Sequence, residues 1–433
     1  MDRILKLVYS NWYEIDNKLR PFPNGLTEEF CEWASSHLKE MDTRYFFNDP
    51  TSTYYFRNSN FFYHSTIANI PMVSVNEIGE DGTYLFPIEI ECNTVRYIID
   101  TQPNYNFIET LSPKMLEHLR SGKVGILLVN MIDPSAEPGT IKEIERFFNR
   151  QGITKVIMMQ GNIKEHNSSI QMLESIISLY QVANEMDKYP YPTALGYESD
   201  FVRIEDLNDL KQRTKKFICW NRYMNRSHRL GLCYLALKHN LLDDGFFSFL
   251  YSPEDNTRDL LSRLVDDDDV NRYAEKIDSL LPYQIDTHHL EYEELGRFFT
   301  VTNNKKSLYL DSYLHIVSET EFRPPGTPFM SEKTWRPILN LQPFIHVGNC
   351  LALNKIRELG FKTFHPFIDE SYDLVINPKM RFKLIEREIL KFNNLSLEEI
   401  HKWYYSIKDI LIYNQNHLRS FKNFNPLKEL CQI

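Results

Sequence analysis

The stretch Ser331–Asn349, SEKTWRPILNLQPFIHVGN, decides the reading of the fold. Its polar opening, Ser331, Glu332, Lys333 and Thr334, leads into a segment with apolar Trp335, Ile338, Leu339 and Leu341. A short apolar strand, PFIHV, follows and Gly348 closes it. The order is loop, helix, strand, glycine turn. A helix start has N–H groups without internal partners and the positive end of the dipole, so it receives anions. Lys333 is suited to phosphate and Glu332 to sugar hydroxyls, while Ser331 and Thr334 are candidate caps. The same residues also fit an ordinary capped helix with a solvated Glu–Lys pair.

Just upstream, LYLDSYLHIVSETEF (Leu308–Phe322) holds an apolar strand at Tyr313–Val317 that ends in Ser318, Glu319 and Thr320. Pro324, Pro325, Gly326 and Pro328 make the next loop. In open α/β sheets, ligands sit at loops that follow the carboxyl ends of strands. A second block, KKFICWNRYMNRSHRLGLCYLALKHNLLDDG (Lys215–Gly245), has the same form. Its strand, Phe217–Trp220, runs into a basic loop with Asn221, Arg222, Asn225, Arg226, His228 and Arg229, then an apolar helix at Leu230–Leu237. Guanidinium groups bind phosphate through a planar fork, so this cluster suits a diphosphate. The alternative is a solvated turn whose arginines pair with Asp243 or Asp244, with His228 as a packing or capping residue.

These two blocks, in this order, resemble the donor-binding half of the family 10, fucosyltransferase-like glycosyltransferases. The resemblance covers about residues 215–364 and rests on the strand ending in a glutamate, the Glu–Lys pair, the helix and the strand of "P-h-h-x-G" type. It implies an α/β fold of the GT-B type, with two Rossmann-like domains facing across a cleft and C-terminal helices. The implied activity is transfer of a hexosyl or pentosyl group from a nucleotide-sugar to an acceptor hydroxyl, inverting and metal-independent. On the implied donor side, Arg222, Arg226, Arg229 and Lys333 bind phosphates and Glu332 holds ribose. Glu319 reaches the donor sugar or a positioning network, and Asn221, Ser331 and Thr334 complete the site. A carboxylate of the N-terminal half is the implied base. No cofactor is expected beyond the donor itself, and the acceptor is a glycan, a protein or modified DNA.

The 433 residues are enough for two or three domains, and 42% hydrophobic residues support sizeable cores. The formal net charge of -10 argues against a general nucleic-acid coat. Cys31, Cys92, Cys219, Cys233, Cys350 and Cys431 are scattered without CxxC spacing, which points to a reducing compartment and not to a disulfide framework. No apolar run reaches the length of a signal peptide or membrane span, so a soluble, cytoplasmic protein is expected.

The first half is read from periodicity. Helices are expected at Leu26–Met41 and, with Ser112 as cap, at Leu111–Arg120; an aromatic strand or loop at Tyr54–Phe62, and strands within Pro87–Ile99. Lys123–Ile132 has the character of a buried parallel strand, followed by a helix at Thr140–Gln151, capped by Thr140, and a strand at Lys155–Met159. The unit lacks GxGxxG. Asp133 and Glu137 lie in the loop after the strand, as candidates for the base or as loop and capping acids. Ser168–Ala183 has helical periodicity, and a short helix is expected at Asp206–Arg213.

The expected domains are 1–205 on the acceptor side, 206–395 on the donor side, and 396–433 packing back across them. The aspartates Asp266–Asp269 resemble a metal-binding DxD but precede a helix without a leading strand, and read as its charged start. A helix at Leu351–Leu359, a short strand at Lys362–Phe364 and helices at Phe382–Phe392 and Ser396–Phe421 complete the reading. Two rival functions are a DNA-modifying glycosyltransferase acting on hydroxymethylated bases and a non-catalytic virion or assembly protein with a degenerate transferase fold.

Overall fold

The computed structural model describes residues 4–9, 13–15, 18–20, 72–80, 82–90, 111, 113–130, 138–160, 169–174, 178–179, 182–183, 186, 191–192, 198–251, 256–283, 306–323 and 329–422. The chain divides into two compact units, Met1–Ile177 with Asn423–Ile433, and Ser178–Lys422. Both are α/β and Rossmann-like, with parallel sheets packed by helices.

The first unit is built on six parallel strands: β1 (Ile4–Tyr9), β2 (Met72–Ser74), β3 (Gly82–Ile90), β4 (Val124–Asn130), β5 (Val156–Gln160) and β6 (Gln171–Glu174). Their order is β2-β1-β3-β4-β5-β6. Helices α1 (Pro113–Arg120) and α2 (Pro138–Arg150) pack on it through Met115, Leu119, Ile141, Ile144 and Phe148, which share one core with Ile126, Leu128 and Met158. Helix α2 begins at Pro138, two residues before the expected cap Thr140, because proline fits the first helical position, where no N–H is needed. The helix expected across Ser168–Ala183 is also corrected. Gln171–Glu174 instead adds an edge strand to β5, in register from Ile157↔Gln171 to Gln160↔Glu174. The open sheet edge outweighs the helical spacing of the same residues.

The second unit is a four-stranded parallel sheet. Its elements run β7 (Lys215–Tyr223), α3 (Ser227–Lys238), β8 (Gly245–Tyr251), α4 (Thr257–Ser262), α5 (Asp267–Leu280) and β9 (Ser312–Ser318). After these come α6 (Glu332–Leu339), β10 (Phe344–Val347), α7 (Ala352–Glu358), α8 (Pro378–Asn393), α9 (Leu397–Ser406) and α10 (Lys408–Ser420). The strand order is β8-β7-β9-β10, so the winding reverses between β7 and β9. Strands β9 and β10 are buried throughout, as a sheet covered on both faces demands.

Residues near 200 belong with this unit. The Val202 N–H donates to Asn340 Oδ1 at 3.2 Å, and Gln415 Nε2 donates to the carbonyls of Val202 and Leu339, each at 2.7 Å. The same Gln415 bonds dock α10 on the second unit. Tyr404 of α9 donates to the Leu341 carbonyl at 2.8 Å and lies under the buried Arg213 guanidinium at 4.0 Å. One helix was expected over Ser396–Phe421; the structure has two, parting at Ile407. Lys362–Phe364 is not a strand, since Asn414 already bonds the Lys362 N–H and C=O, at 2.8 Å each. The expected short helix after Asp206 is a 3-10 turn at Ile204–Asn208. Leu26–Met41, Tyr54–Phe62 and Ser112 lie outside the described residues.

Helix α3 is buried nearly all round, and Gly231 lets it meet α8: a Cβ there would stand 2.6 Å from Cζ of the buried Phe382. Gly231→Ala should therefore destabilise the protein by about 1–3 kcal/mol, despite the better helix propensity of alanine. Urea unfolding checks this, and a variant as stable as the parent would reject the close packing.

Candidate functional site

The winding reversal in the second sheet puts the carboxyl ends of β7 and β9 side by side, the usual place for a ligand crevice in an open α/β sheet. Asn221 and Arg222 are not in the loop, as expected, but on β7 itself. The ladder to β8 continues through Asn221↔Phe249 and Tyr223↔Tyr251, carrying the strand three residues past Trp220. Asn221 is buried and donates from Nδ2 to Cys219 Sγ at 3.3 Å. Arg226 is the N-cap of α3 and is exposed; Arg229 stands in its first turn and is buried.

Glu319, one residue past β9, gathers the surrounding elements. Its side chain is fully buried. Oε1 accepts from the Ser331 N–H at 2.9 Å and from Thr334 Oγ1 at 2.6 Å; Oε2 accepts from the Thr320 N–H at 3.0 Å and Ser331 Oγ at 2.7 Å. Its backbone carbonyl accepts from His228 Nε2 at 2.7 Å and Arg229 Nη2 at 3.4 Å. The carboxylate is thus committed to the start of α6, in a positioning network.

At that start, Ser331 caps α6 and accepts from the Lys333 N–H. Lys333 Nζ lies 2.7 Å from Glu332 Oε1 and 3.2 Å from Ser331 Oγ. Burial alone would raise the Glu332 carboxyl, but the charges of Lys333 and Arg336 hold it below its ordinary value. Arg229 donates to the Tyr223 carbonyl at 2.9 Å, and its pKa falls to about 10 through burial and the nearby Arg226, against the pull of Glu319 and Glu332. The basic turn of α3 and the Glu–Lys start of α6 therefore share one electrostatic neighbourhood. Pairing of Arg229 with Asp243 or Asp244 is not found: Lys215 donates to the Asp243 carbonyl and Lys216 lies 3.8 Å from Asp244.

Two buried histidines complete the wall. His228 donates from Nε2 to a carbonyl and stacks on Phe322, with ring centroids 5.4 Å apart. His346 Nε2 lies 3.0 Å from Thr334 Oγ1. The single Thr334 proton goes to Glu319, so the hydroxyl must accept from His346, which fixes the Nε2–H tautomer and leaves Nδ1 as an acceptor. Burial, with Arg229 and Arg381 nearby, drops His228 to about 3; burial and Arg381 drop His346 to about 4, although Glu319 pulls the other way. Gly348 is required beside this ring, because a Cβ there would sit 2.4 Å from His346 Cε1.

Sequence reading missed Glu321 and Asn349. Glu321 Oε2 accepts from Asn349 Nδ2 at 3.0 Å, and Asn349 Oδ1 accepts from the Arg323 N–H at 2.7 Å. The available signal was their position, just past the ends of β9 and β10. Asp133, Glu137 and the loop residues Pro324, Pro325, Gly326 and Pro328 lie outside the described residues. The aspartate run opens α5: Asp266 caps it and pairs with Lys379 and Lys383, and Asp269 with Tyr234 and Lys238. Among the described residues, no three His, Cys, Asp or Glu side chains group as metal ligands. No helix there is long and apolar enough to cross a membrane.

No protein-family model matches the chain. No curated protein matches it. Among solved structures it is similar to a trehalose-6-phosphate synthase studied for glycosyl transfer with retention, at TM-score 0.37 and 11% identity over 86% of this chain and 78% of that one. It is also similar to an alpha,alpha-trehalose-phosphate synthase (UDP-forming) from Burkholderia vietnamiensis, at TM-score 0.36 and 11% identity over 87% and 78%. Likeness of this size does not carry an activity across.

Two measurements check the site. Because His228 and His346 titrate near 6.5 when unfolded but near 3 and 4 when folded, the unfolded state binds more protons between those values. Stability should thus fall as pH is lowered from about 6.5 towards 4, and a urea midpoint that stays flat across that window would contradict the neutral, buried imidazoles. Thr334→Val, which leaves the His346 N–H unpaired, should cost about 1–3 kcal/mol, with Thr334→Ser close to the parent. Equal stability of the valine and serine variants would show that the Glu319–Thr334–His346 chain is not formed.

Proposed function

We propose that this chain is a glycosyltransferase that binds a nucleotide-sugar at the carboxyl edge of the second sheet and passes the sugar to an acceptor hydroxyl. One observation carries the reading: the first turn of α3 holds no acid, while Arg226 is its N-cap and His228 and Arg229 follow. A cation at a helix N-terminus opposes the dipole by about 0.3–1 kcal/mol. A diphosphate reverses that sign, because the dipole, the arginines and Lys333 all attract it.

In this reading Arg222, Arg226, Arg229 and Lys333 stabilise the diphosphate as it gains charge on leaving. Glu332 holds ribose, and Glu319 keeps Ser331 and Thr334 in place. The finer assignment is to the fucosyltransferase-like family 10 and to single-step inversion without a metal. The acceptor oxygen then bonds to the anomeric carbon as the carbon–diphosphate bond breaks. The acceptor proton passes to a carboxylate of the first unit, with Asp133 and Glu137 as the candidates.

Calorimetry with UDP, GDP, ADP and CDP tests the reading. The parent should bind one of them, and Lys333→Ala and Arg226→Ala should each weaken that binding by about 1–3 kcal/mol. A parent that binds none is the outcome expected of a non-catalytic assembly protein and would sink the proposal. Unchanged affinity in both variants would remove the diphosphate from this edge.

A further inference from the structure

We infer that Glu321, held by Asn349, accepts a hydroxyl of the donor, from its ribose or from the transferred sugar. The inference rests on the nucleotide-sugar reading above and assigns one further subsite to it.

The geometry begins with Asn349. Its Oδ1 takes the Arg323 N–H, so its amide nitrogen faces Glu321 and donates to Oε2 at 3.0 Å. Glu321 is only 8% exposed, yet its Oε1 makes no hydrogen bond among the described residues. The Arg323 guanidinium comes no nearer than 3.9 Å, beyond hydrogen-bond reach. Buried polar atoms in folded proteins nearly always have a partner. Glu321 follows β9 and Asn349 follows β10, on the same carboxyl edge as the basic turn of α3.

Glu321 is not alone. Asn221 Oδ1, Arg229 Nε, Ser318 Oγ and His346 Nδ1 are also buried without a hydrogen-bond partner among the described residues, and all belong to this edge. Their chemistry sorts the ligand. Asn221 Oδ1, Glu321 Oε1 and His346 Nδ1 are acceptors without a proton to give. Phosphate oxygens cannot satisfy them; hydroxyl groups can. Arg229 Nε–H is a donor and suits phosphate. The edge thus offers donors suited to phosphate and acceptors suited to hydroxyls, and Glu321, a carboxylate, is the strongest of the acceptors.

The test is calorimetry of the parent and Glu321→Gln with three probes, namely the tightest-binding of UDP-glucose, UDP-galactose, GDP-mannose and GDP-fucose, its bare nucleoside diphosphate, and inorganic diphosphate, and with the 2′,3′-dideoxy nucleoside diphosphate as a control. Glu321→Gln should weaken the nucleotide-sugar about tenfold and leave inorganic diphosphate unchanged, since that probe has no hydroxyl. Loss confined to the nucleotide-sugar assigns the contact to the transferred sugar; loss shared by the nucleoside diphosphate but absent with its 2′,3′-dideoxy form assigns it to ribose. Unchanged affinity for every probe overturns the inference while leaving the parent reading intact. Equal loss for all three probes, inorganic diphosphate included, marks a structural effect and also overturns it. A parent that binds no nucleotide removes the broader reading and this one together.

Discussion

The second unit depends on one buried carboxylate. Glu319 leaves the end of β9 with no solvent to hydrate it, and burying such a group is costly unless donors surround it. Four donors do so: two backbone N–H groups and two hydroxyls, all from Thr320, Ser331 and Thr334. Each bond to a charged acceptor contributes about 1.5–3 kcal/mol in favourable cases. The effect is geometric as much as energetic. The start of α6 is fastened to the end of β9, and the Glu319 carbonyl fastens the first turn of α3 to the same point. Three elements far apart in sequence are thereby fixed at the place where the sheet reverses its winding.

The helix starts of the unit differ in charge, and α3 is one of those without a first-turn acid. Among the described helices of the unit, α4, α5, α6, α9 and α10 carry a first-turn acid, whereas α7 and α8 do not, and Lys379 stands at the start of α8. Helix α5 opens with Asp267, Asp268 and Asp269, and α9 with Glu398 and Glu399 in a capping box with Ser396. Helix α3 has neither a first-turn acid nor a side-chain cap. What sets α3 apart is place: its Arg229 is buried and bonds the Glu319 carbonyl, beside the start of α6. The cations of α3 fall at the reversal point of the sheet, which is where local rules are expected to yield to function.

Much of this was legible in the sequence because it is written in local signals. The Ser331 cap, the helix from Glu332, the strand closed by Gly348 and the strand ending before Glu319 all follow from periodicity, capping and a glycine with no room for a Cβ. What failed depends on neighbours. Gln171–Glu174 became a strand because β5 offers an edge, and Asn221 and Arg222 joined β7 because β8 continues beside them. His346 and Glu321 carry no motif at all. Their roles come from one hydroxyl and one amide that reach them from other segments, His346 through Thr334 and Glu321 through Asn349. Side-chain pairing across loops has no period, so pattern reading cannot find it.

The histidines decide what kind of charge the edge presents. His228, His315 and His346 are buried, and each is pushed far below its ordinary value, with arginines adding to the effect of burial. They are therefore neutral near pH 7 and serve as hydrogen-bonding groups. Positive charge at the edge comes from arginine and lysine, whose geometry is set by α3 and α6. A site built this way keeps its attraction for an anion constant across the neutral range, because no imidazole there gains or loses a proton. It also keeps the acceptor lone pair of His346 available, since the proton sits on Nε2, facing Thr334. Burial thus separates the two tasks on one sheet edge: fixed cations for an anion, and uncharged or anionic acceptors for groups that donate.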